Sequence, residues 1–594
     1  MSEQEVKLNV PRAARPGVAR EMARGDSRSI HLHAMYFDTP SRELARAKIA
    51  LRLRLEGDTW IQTLKTPGAD AITRVEMNHP RPGPILDLSV YAGTEVEAAL
   101  TSVQGDLALR YETDVLRVVR KHRSRLGTVE LAFDTGEVRA GAFSLPICEL
   151  EFELLSGRVA AIFETARGWH QRHGLVMDPR SKSERGDALA SLALDLDGEP
   201  LDKSNPDDPS TVTERNKRTE RIKSFWAPRG IAPVKLRTDM TASHALAQVT
   251  AECLDQIARN AAFLAEVDTA GIYCAGGPEH VHQLRVGVRR LRSAWKLFDG
   301  IAVLPPDSLQ DDIRRHFGDF GANRDRDVQN ATVLPRLLSA GMPPLPEEPP
   351  GDADDSETLA RARGFQGALL ALLEWSVTPQ PSLTSVNAMA AAQASATLQA
   401  QAAEAIAARA ATGVGEPDPG QPTLTDSATA DGGTKIASLD SAAHHPAPAV
   451  HIVPTIIPLG PTANTDGLDT LLLTRLHTWH KQITKRGRHF ARLDIEKKHA
   501  LRKRVKLLRY SLGFCESLLG TSRLRAYRKH LAVVQDLLGE FNDLAVAHET
   551  YIARAQKTEQ AWFAVGWLAA IQDRTTSQAQ AALVALGRAP GFWK

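Results

Sequence analysis

Four cysteines in 594 residues are too few for a disulfide framework. They stand at Cys148, Cys253, Cys274 and Cys515 without paired spacing, which also argues against a cysteine-based zinc site and predicts buried thiols in a reducing compartment. Aromatic residues make up only 5% of the chain, a poor supply for stacking single-stranded nucleic acid. No apolar run reaches the roughly 18 residues that a membrane span requires. No signal-like segment opens the chain, and a strand dense in charge begins at residue 3, so no room is left for a cleaved presequence and a cytoplasmic location is expected. Excess charge is missing too: 73 Lys and Arg against 71 Asp and Glu give a net +2. Such a balance can hide strong local polarisation, and the length alone predicts several domains with ample core.

The polarisation begins at Glu3, Glu5 and Lys7, which alternate with Gln4 and Val6. In a strand, alternate side chains share a face, so these three charges point one way. The same parity recurs downstream. Arg52 and Arg54 oppose Leu51, Leu53 and Leu55; Lys65 closes a short strand; Arg74 and Glu76 flank Val75; Thr113, Val115 and Arg117 share a face. Glu130, Ala132 and Asp134 share another, and Glu149, Glu151 and Glu153 alternate with Leu150, Phe152 and Leu154. One alternating charged strand is usually a solvated face. Six or so in one short domain, one purely basic and one purely acidic, predict instead a closed antiparallel barrel with a charged bore and apolar faces packed outward under helices.

Sorting by sign carries the chemistry. Like charges two residues apart repel, so such a row is favourable only with opposite charge or a ligand between. Carboxylates in number suit the hard cations Mg²⁺ or Mn²⁺, and Arg and Lys suit phosphate oxygens. A cavity offering both is built for a metal-bound polyanion, and polyphosphate chemistry fits best.

Glu3-x-Glu5-x-Lys7, Tyr36-Phe37-Asp38-Thr39-Pro40, Leu51-Arg52-Leu53-Arg54, the Lys65 strand, Arg74-x-Glu76, Arg117, Asp134, Glu149-x-Glu151 and Ser181-Lys182 resemble, in order and rough spacing, the CYTH family of triphosphate tunnel metalloenzymes. The resemblance covers about residues 1–195. It implies an eight-stranded tunnel in which triphosphates are hydrolysed or cyclised. It assigns phosphate binding to Lys7, Arg52, Arg54, Lys65, Arg74, Arg117 and Lys182, and divalent metal to Glu3, Glu5, Glu76, Asp134, Glu149 and Glu151. Glu5 and Lys7 are the candidate catalytic pair. Glu130 and Glu153 lie on the right faces, and Asp38 is expected to shape the turn before Pro40.

From about residue 233 helical periodicity takes over. His282-Gln283-Leu284-Arg285 aligns with His499-Ala500-Leu501-Arg502, and Gly321–Val328 loosely matches Gly539–Val546, which predicts a duplicated unit. His282, Arg285, Arg289 and Arg292 form one helical stripe, with Leu284, Val288, Leu291 and Trp295 on a separate, core-forming face. His499, Arg502, Lys506 and Arg509 repeat the stripe against Leu501, Val505, Leu508 and Leu512; Lys485, Arg486, Arg488 and His489 add to it. No acidic residue lies between Glu279 and Asp299, so the first stripe has no counterions on its own helix. A single basic stripe is commonly just a solvated face; two matching ones favour a bound anion. This half resembles the CHAD domain, a helical module often fused behind CYTH barrels, and the resemblance implies that it binds inorganic polyphosphate.

The predicted organisation is multidomain α+β. An N-terminal eight-stranded antiparallel tunnel barrel with flanking helices spans 1–197, followed by a linker at 198–232. An all-α duplicated bundle follows at 233–376 and 469–594. It is interrupted at 377–468 by an Ala-, Gln-, Pro- and Gly-rich insertion, helical around 388–411 and disordered over 412–466. The expected function is a metal-dependent inorganic triphosphatase that yields diphosphate and phosphate, with granule association through polyphosphate and no membrane partner. The alternatives are a non-catalytic polyphosphate-binding or granule-targeting protein, and a thiamine-triphosphatase or adenylate cyclase of the same fold. Nucleic-acid binding through the basic helices is the weaker reading.

Overall fold

Residues that alternate apolar and charged side chains form strands, and here eight of them close on themselves. A computed structural model describes residues 2–195, 225, 227–265, 267, 276–321, 332–346, 355–411 and 467–593. Strands β1 (Ser2–Asn9), β2 (Ser27–Asp38), β3 (Ala50–Glu56), β4 (Thr59–Pro67), β5 (Thr73–Arg81), β6 (Ala108–Arg123), β7 (Gly127–Ala140) and β8 (Phe143–Gly157) pair in the order β5-β4-β3-β2-β6-β7-β8-β1. Pairing of β1 with β5 closes the barrel, and the two-residue β9 (Val176–Met177) adds to β1. The predicted eight-stranded antiparallel barrel is the fold observed.

The register places charges side by side within the bore. Lys65 stands opposite Glu76, Arg117 opposite Asp134, Asp134 opposite Glu149, and Lys7 and Glu5 opposite Glu151 and Glu153. Directly paired residues on neighbouring strands share a face, so these groups converge on one interior.

The longer helices are α1 (Ala160–His173), α2 (Lys182–Asp195), α3 (Ala242–Leu264), α4 (Pro278–Phe298), α5 (Asp307–Asp319), α6 (Arg363–Val377), α7 (Leu383–Ala411), α8 (Leu468–Gly487), α9 (Ile495–Phe514), α10 (Thr521–Ala555) and α11 (Ala561–Arg588). None among the described residues is long and apolar enough to cross a membrane.

The interior departs from the sequence expectation in one respect: it is not charged throughout. Tyr36 and Ala34 stand opposite Arg52 and Arg54, so they face inward. With Leu32, Tyr111, Val115, Val138, Leu145 and Ile147 they form an apolar cluster that also holds Leu189 and Ala190 of α2. Helix α2 therefore plugs one end of the barrel, its apolar side replacing the water that would otherwise fill that end. The charged residues occupy the remainder.

The outer apolar faces behave as expected. Leu51 and Leu64 pack under the short segments that carry Leu44, Tyr91 and Leu100. Val6, Leu8, Leu131, Leu150 and Phe152 pack against Phe163 and Trp169 of α1. That same cluster continues without a break into Leu254 and Ile257 of α3, Phe365 and Leu369 of α6, and the core faces of α4 and α9. Each large apolar side chain so buried contributes about 2 kcal/mol, so barrel and bundle share a core. Buried polar groups join them as well. The Met177 amide donates to Gln366 Oε1 at 2.8 Å, and Gln366 is 2% exposed.

Within the stretch expected as linker, residue 229 is held against α3: the Arg229 amide donates to Asn260 Oδ1 at 3.1 Å and its guanidinium to Glu252 and Asp255 of α3, carboxylates that supply the charge it needs. The predicted Ala- and Gln-rich helix is longer, running over the 29 residues of α7, in keeping with strong helix formers. It belongs to a separate unit, Ser382–Asp466. The rest of the predicted linker up to 224, the 412–466 stretch and residues 322–328 of the loose repeat lie outside the described residues.

Candidate active site in the barrel and basic face of the bundle

Two charge centres occupy the bore. In the first, Lys65 Nζ lies 3.2 Å from Glu3 Oε2 and also pairs with Glu76, while Arg52 Nη2 stands 3.8 Å from Glu76 Oε1. Burial alone would raise the Glu76 carboxyl, but Lys65 and Arg52 outweigh it and hold the group down at about 2. For Glu3 burial wins and the carboxyl is raised. Arg52 Nη1 donates to the Tyr36 hydroxyl at 3.2 Å, at the border with the apolar plug.

The second centre is denser. Arg117 donates through Nε and Nη2 to the two oxygens of Asp134, both at 2.7 Å, and also binds Glu151. Lys182, at the start of α2, stands 2.7 Å from both Asp134 Oδ2 and Glu151 Oε1 and also pairs with Glu149. Burial would lower the Lys182 ammonium, but Asp134, Glu149 and Glu151 outweigh it and raise it. Arg185, one turn further along α2, donates to Glu149 Oε2 at 2.5 Å. Glu149 and Glu151 of the β8 acidic row are thus answered by cations delivered on the plug helix.

Oxygens of Asp134, Glu149 and Glu151 all lie within 4.8 Å of one another. An all-oxygen set this close fits a hard divalent cation. Glu153, facing Glu5 across the β1–β8 pair and Glu130 across the β7–β8 pair, is pushed up by burial to about 7, with Glu3, Glu130 and Glu5 adding to the rise. Negative charge is therefore in excess at that end of the bore.

Beside these centres a cavity of about 700 Å³ is lined by Glu5, Lys7, Lys65 and Arg74 from the barrel and by Leu254 and Arg259 from α3. Lys7 donates to the Arg180 carbonyl and lies 4.0 Å from Glu149; burial lowers its ammonium, with Glu149 opposing.

The bore thus holds Lys7, Arg52, Lys65, Arg117 and Lys182 together with all six predicted acids. Arg54 and Arg74 share the lining, Arg54 beside Arg52 and Arg117 and Arg74 at the cavity, but each is held by local partners. Arg54 pairs with Glu56 at the strand end, and Arg74 Nη1 donates to the Ala71 and Thr73 carbonyls at 3.2 and 2.8 Å. Asp38 takes the turn role expected of it, accepting from the amides of Thr39, Leu44 and Ala45 at 2.7–2.9 Å. Sequence reasoning missed Arg185. Its position three residues after Lys182, hence on the same helix face, was the available signal.

In the bundle, the predicted core faces are buried: Leu284, Val288, Leu291 and Trp295 on α4, and Leu501, Val505, Leu508 and Leu512 on α9, are each at most 3% exposed. His282, Arg289 and Arg292 are half-buried. Arg285 is turned further in, its guanidinium 4.6 Å from the Phe317 ring centre. On α9, His499 Nδ1 lies 3.0 Å from Asn542 Oδ1, Arg502 stands 3.9 Å from Asp543, and Arg509 lies over Tyr510 at 4.5 Å. Burial pushes the Lys506 ammonium down to about 7, helped by Arg502 and by Arg289 of the other stripe. The two stripes therefore meet around Lys506.

Comparison with known proteins agrees with this division. Residues 1–186 match the CYTH domain and residues 248–551 the CHAD domain. An inorganic triphosphatase from Haemophilus influenzae is 29% identical over 172 residues, covering 28% of this chain and 48% of the relative. The match thus spans about half of that relative's length. Among solved structures, the CHAD domain of the plant Ricinus communis shares 28% identity, covering 61% of this chain and 99% of that one at a TM-score of 0.35. A candidate adenylyl cyclase from Hippeastrum, reported to reveal a dominant triphosphatase activity, shares 18% over 34% of this chain and 99% of its own, at a TM-score of 0.23. With its model match extending over half of the residues, the chain belongs to the CHAD domain family and carries a CYTH domain ahead of that module.

Proposed function

We propose that the chain is a metal-dependent inorganic triphosphatase whose helical half binds inorganic polyphosphate. The observation that carries the reading is the sorting of charge in the bore. Lys7, Arg52, Lys65, Arg117 and Lys182 face Glu3, Glu5, Glu76, Asp134, Glu149 and Glu151 across a few ångströms, a lining suited to a polyanion with its counter-cation. The named activity of the Haemophilus relative supports the same substrate class.

Asp134, Glu149 and Glu151 would hold Mg²⁺ or Mn²⁺, with Glu3, Glu5 and Glu76 completing the acidic wall. A bound divalent cation would neutralise phosphate oxygens and polarise the phosphoryl group under attack. The basic residues bind the non-bridging oxygens and lower the repulsion that keeps a nucleophile away. Lys182 and Arg117 now serve the carboxylates, so on substrate binding they exchange carboxylate for phosphate partners. Glu5, which faces the cavity, orients the attacking water and accepts its proton. Water adds to a terminal phosphorus in line with the bridging oxygen, that P–O bond breaks, and diphosphate leaves. Equal yields of phosphate and diphosphate from tripolyphosphate test this reading, whereas cyclic nucleotide from ATP would identify a cyclase.

In the bundle, the two stripes converge on Lys506 beside Asp543, and this gathering of cations favours an anion with many charges along its length. Competition between polyphosphate and nucleic acid for the bundle discriminates the two polyanions, since salt dependence alone is common to both.

A further inference from the structure

Helix α2 works on two fronts. Its inner side carries Lys182 and Arg185 into the acidic centre, and Leu189 and Ala190 fill the barrel end. Its first turn also faces the bundle. Ser181 caps the helix, its Oγ accepting from the Glu184 amide at 3.0 Å. The Glu184 carboxylate, which in a capping box would turn back on the cap, is instead gripped by Arg259 of α3, with Nη2 to Oε2 at 3.0 Å and a second bond from Nη1.

Arg259 is itself fixed from behind. Its Nε donates to Asp255 Oδ1 at 2.6 Å. Asp255 Oδ2 accepts from Arg229 at 3.1 Å, Arg229 donates to Glu252 at 3.0 Å, and Glu252 meets Arg290 of α4 at 3.4 Å. A chain of ion pairs so anchored holds its end residue in one geometry, with less entropy to lose per bond than an isolated pair. Alongside it, the Arg180 guanidinium lies 4.6 Å from the Phe263 ring centre of α3, while the Arg180 carbonyl accepts from Lys7.

We propose that Arg259 of the helical domain is a positioning residue for the barrel's reaction: by clamping Glu184 it sets the depth and angle at which α2 presents Lys182 to the substrate. Arg259 lines the same cavity as Glu5, Lys7 and Lys65. With Glu184 and Asp255 already answering its charge, it acts through the helix and not on phosphate. The inference rests on the triphosphatase reading and adds that the bundle forms part of the tunnel's machinery.

The test uses the full chain and follows tripolyphosphate turnover and calorimetric tripolyphosphate binding for wild type, Arg259→Ala, Arg259→Lys, Glu184→Gln and the Arg259→Ala/Glu184→Gln pair. A misplaced ligand predicts a fall in kcat/KM of about tenfold or more, expressed mainly as a raised KM, in both single variants. The double variant loses no more than either single, because the two residues act as one contact. Arg259→Lys recovers part of the loss. Glu184 is half-exposed, so its glutamine variant keeps the fold even if Arg259→Ala does not. Polyphosphate binding by the bundle is unchanged in Glu184→Gln, which a general loss of structure would not allow. Retention of kcat/KM within about twofold in Glu184→Gln and Arg259→Ala would overturn the inference while leaving the triphosphatase reading intact. A wild type that neither binds nor cleaves tripolyphosphate would overturn both.

Discussion

The Gly186 backbone lies so close to the Tyr111 ring that a Cβ at position 186 would stand 2.2 Å from the ring's Cδ2 atom. Helix α2 can seat in the barrel only because this position has no side chain, and the seat places the adjacent Arg185, and Lys182 one turn before, among the carboxylates.

Gly186→Ala is therefore predicted to lift α2 from its seat. Overpacking of this kind costs about 1–3 kcal/mol, to be read as a lower melting temperature. Tripolyphosphate turnover falls further than stability, because Lys182 retreats with the helix. A variant that melts and turns over like wild type would show that the plug helix has room to spare.

Glu76 makes an acid-side prediction. Its carboxyl titrates at about 2 in the folded chain against 4.5 unfolded. The unfolded state thus takes up a proton first as pH falls, and the stability Glu76 contributes is complete above 4.5 and lost on the way down to about 2. Glu76→Gln should lower stability at neutral pH and flatten its decline across that window, as denaturant titrations from pH 5 to pH 2 would reveal.

Magnesium or manganese should stabilise the folded chain. A cation that binds only the native state raises stability by mass action, about 2.7 kcal/mol at one hundred times its Kd. The melting temperature is expected to rise with added Mg²⁺ and to return with EDTA, and Asp134→Asn should abolish most of the rise. An equal rise in Asp134→Asn would place the cation elsewhere. Lys182 and Arg185 already answer the β8 carboxylates, so the metal-free protein remains folded.

Lys506 makes a prediction of the same sign on the alkaline side. Its folded pKa of about 7 lies below the ordinary 10.5. Between these values the unfolded state holds the extra proton, so this residue's contribution makes the chain more stable as pH rises through that window and less stable as it falls. Polyphosphate binding has the reverse slope, since an anion prefers the protonated ammonium: affinity should weaken as pH rises above about 7. Lys506→Met should reduce both slopes, with calorimetry at pH 6 and pH 9 as the check.

The two halves of the site differ in how far the sequence discloses them. Strand parity requires no knowledge of the partner strand, so Glu3, Glu5, Lys7, Arg52, Lys65, Arg117, Asp134, Glu149 and Glu151 could be assigned to one lining before any fold was known. Helical parity likewise separated Leu284, Val288 and Leu291 from Arg289 and Arg292. Hidden from such reasoning were contacts between distant segments. Arg259 meets Glu184 across 75 residues, Gln366 meets Met177 across 189, and the inward Leu32, Ala34 and Tyr36 follow no charge pattern. Their burial depends on a helix that enters the barrel from its end. For the same reason the core shared by barrel and bundle was not legible: an apolar outer face looks alike whether a local helix or a second domain covers it.

The most direct test of the central claim is phosphate release from tripolyphosphate, ATP and thiamine triphosphate, with Mg²⁺ or Mn²⁺, by wild type and Glu5→Gln. The account predicts metal-dependent turnover of tripolyphosphate above the other two, lost in Glu5→Gln although that variant still folds. Failure of wild type to release phosphate from any of the three, with polyphosphate still bound by the bundle, would contradict it and leave the barrel a polyanion-binding module without catalysis.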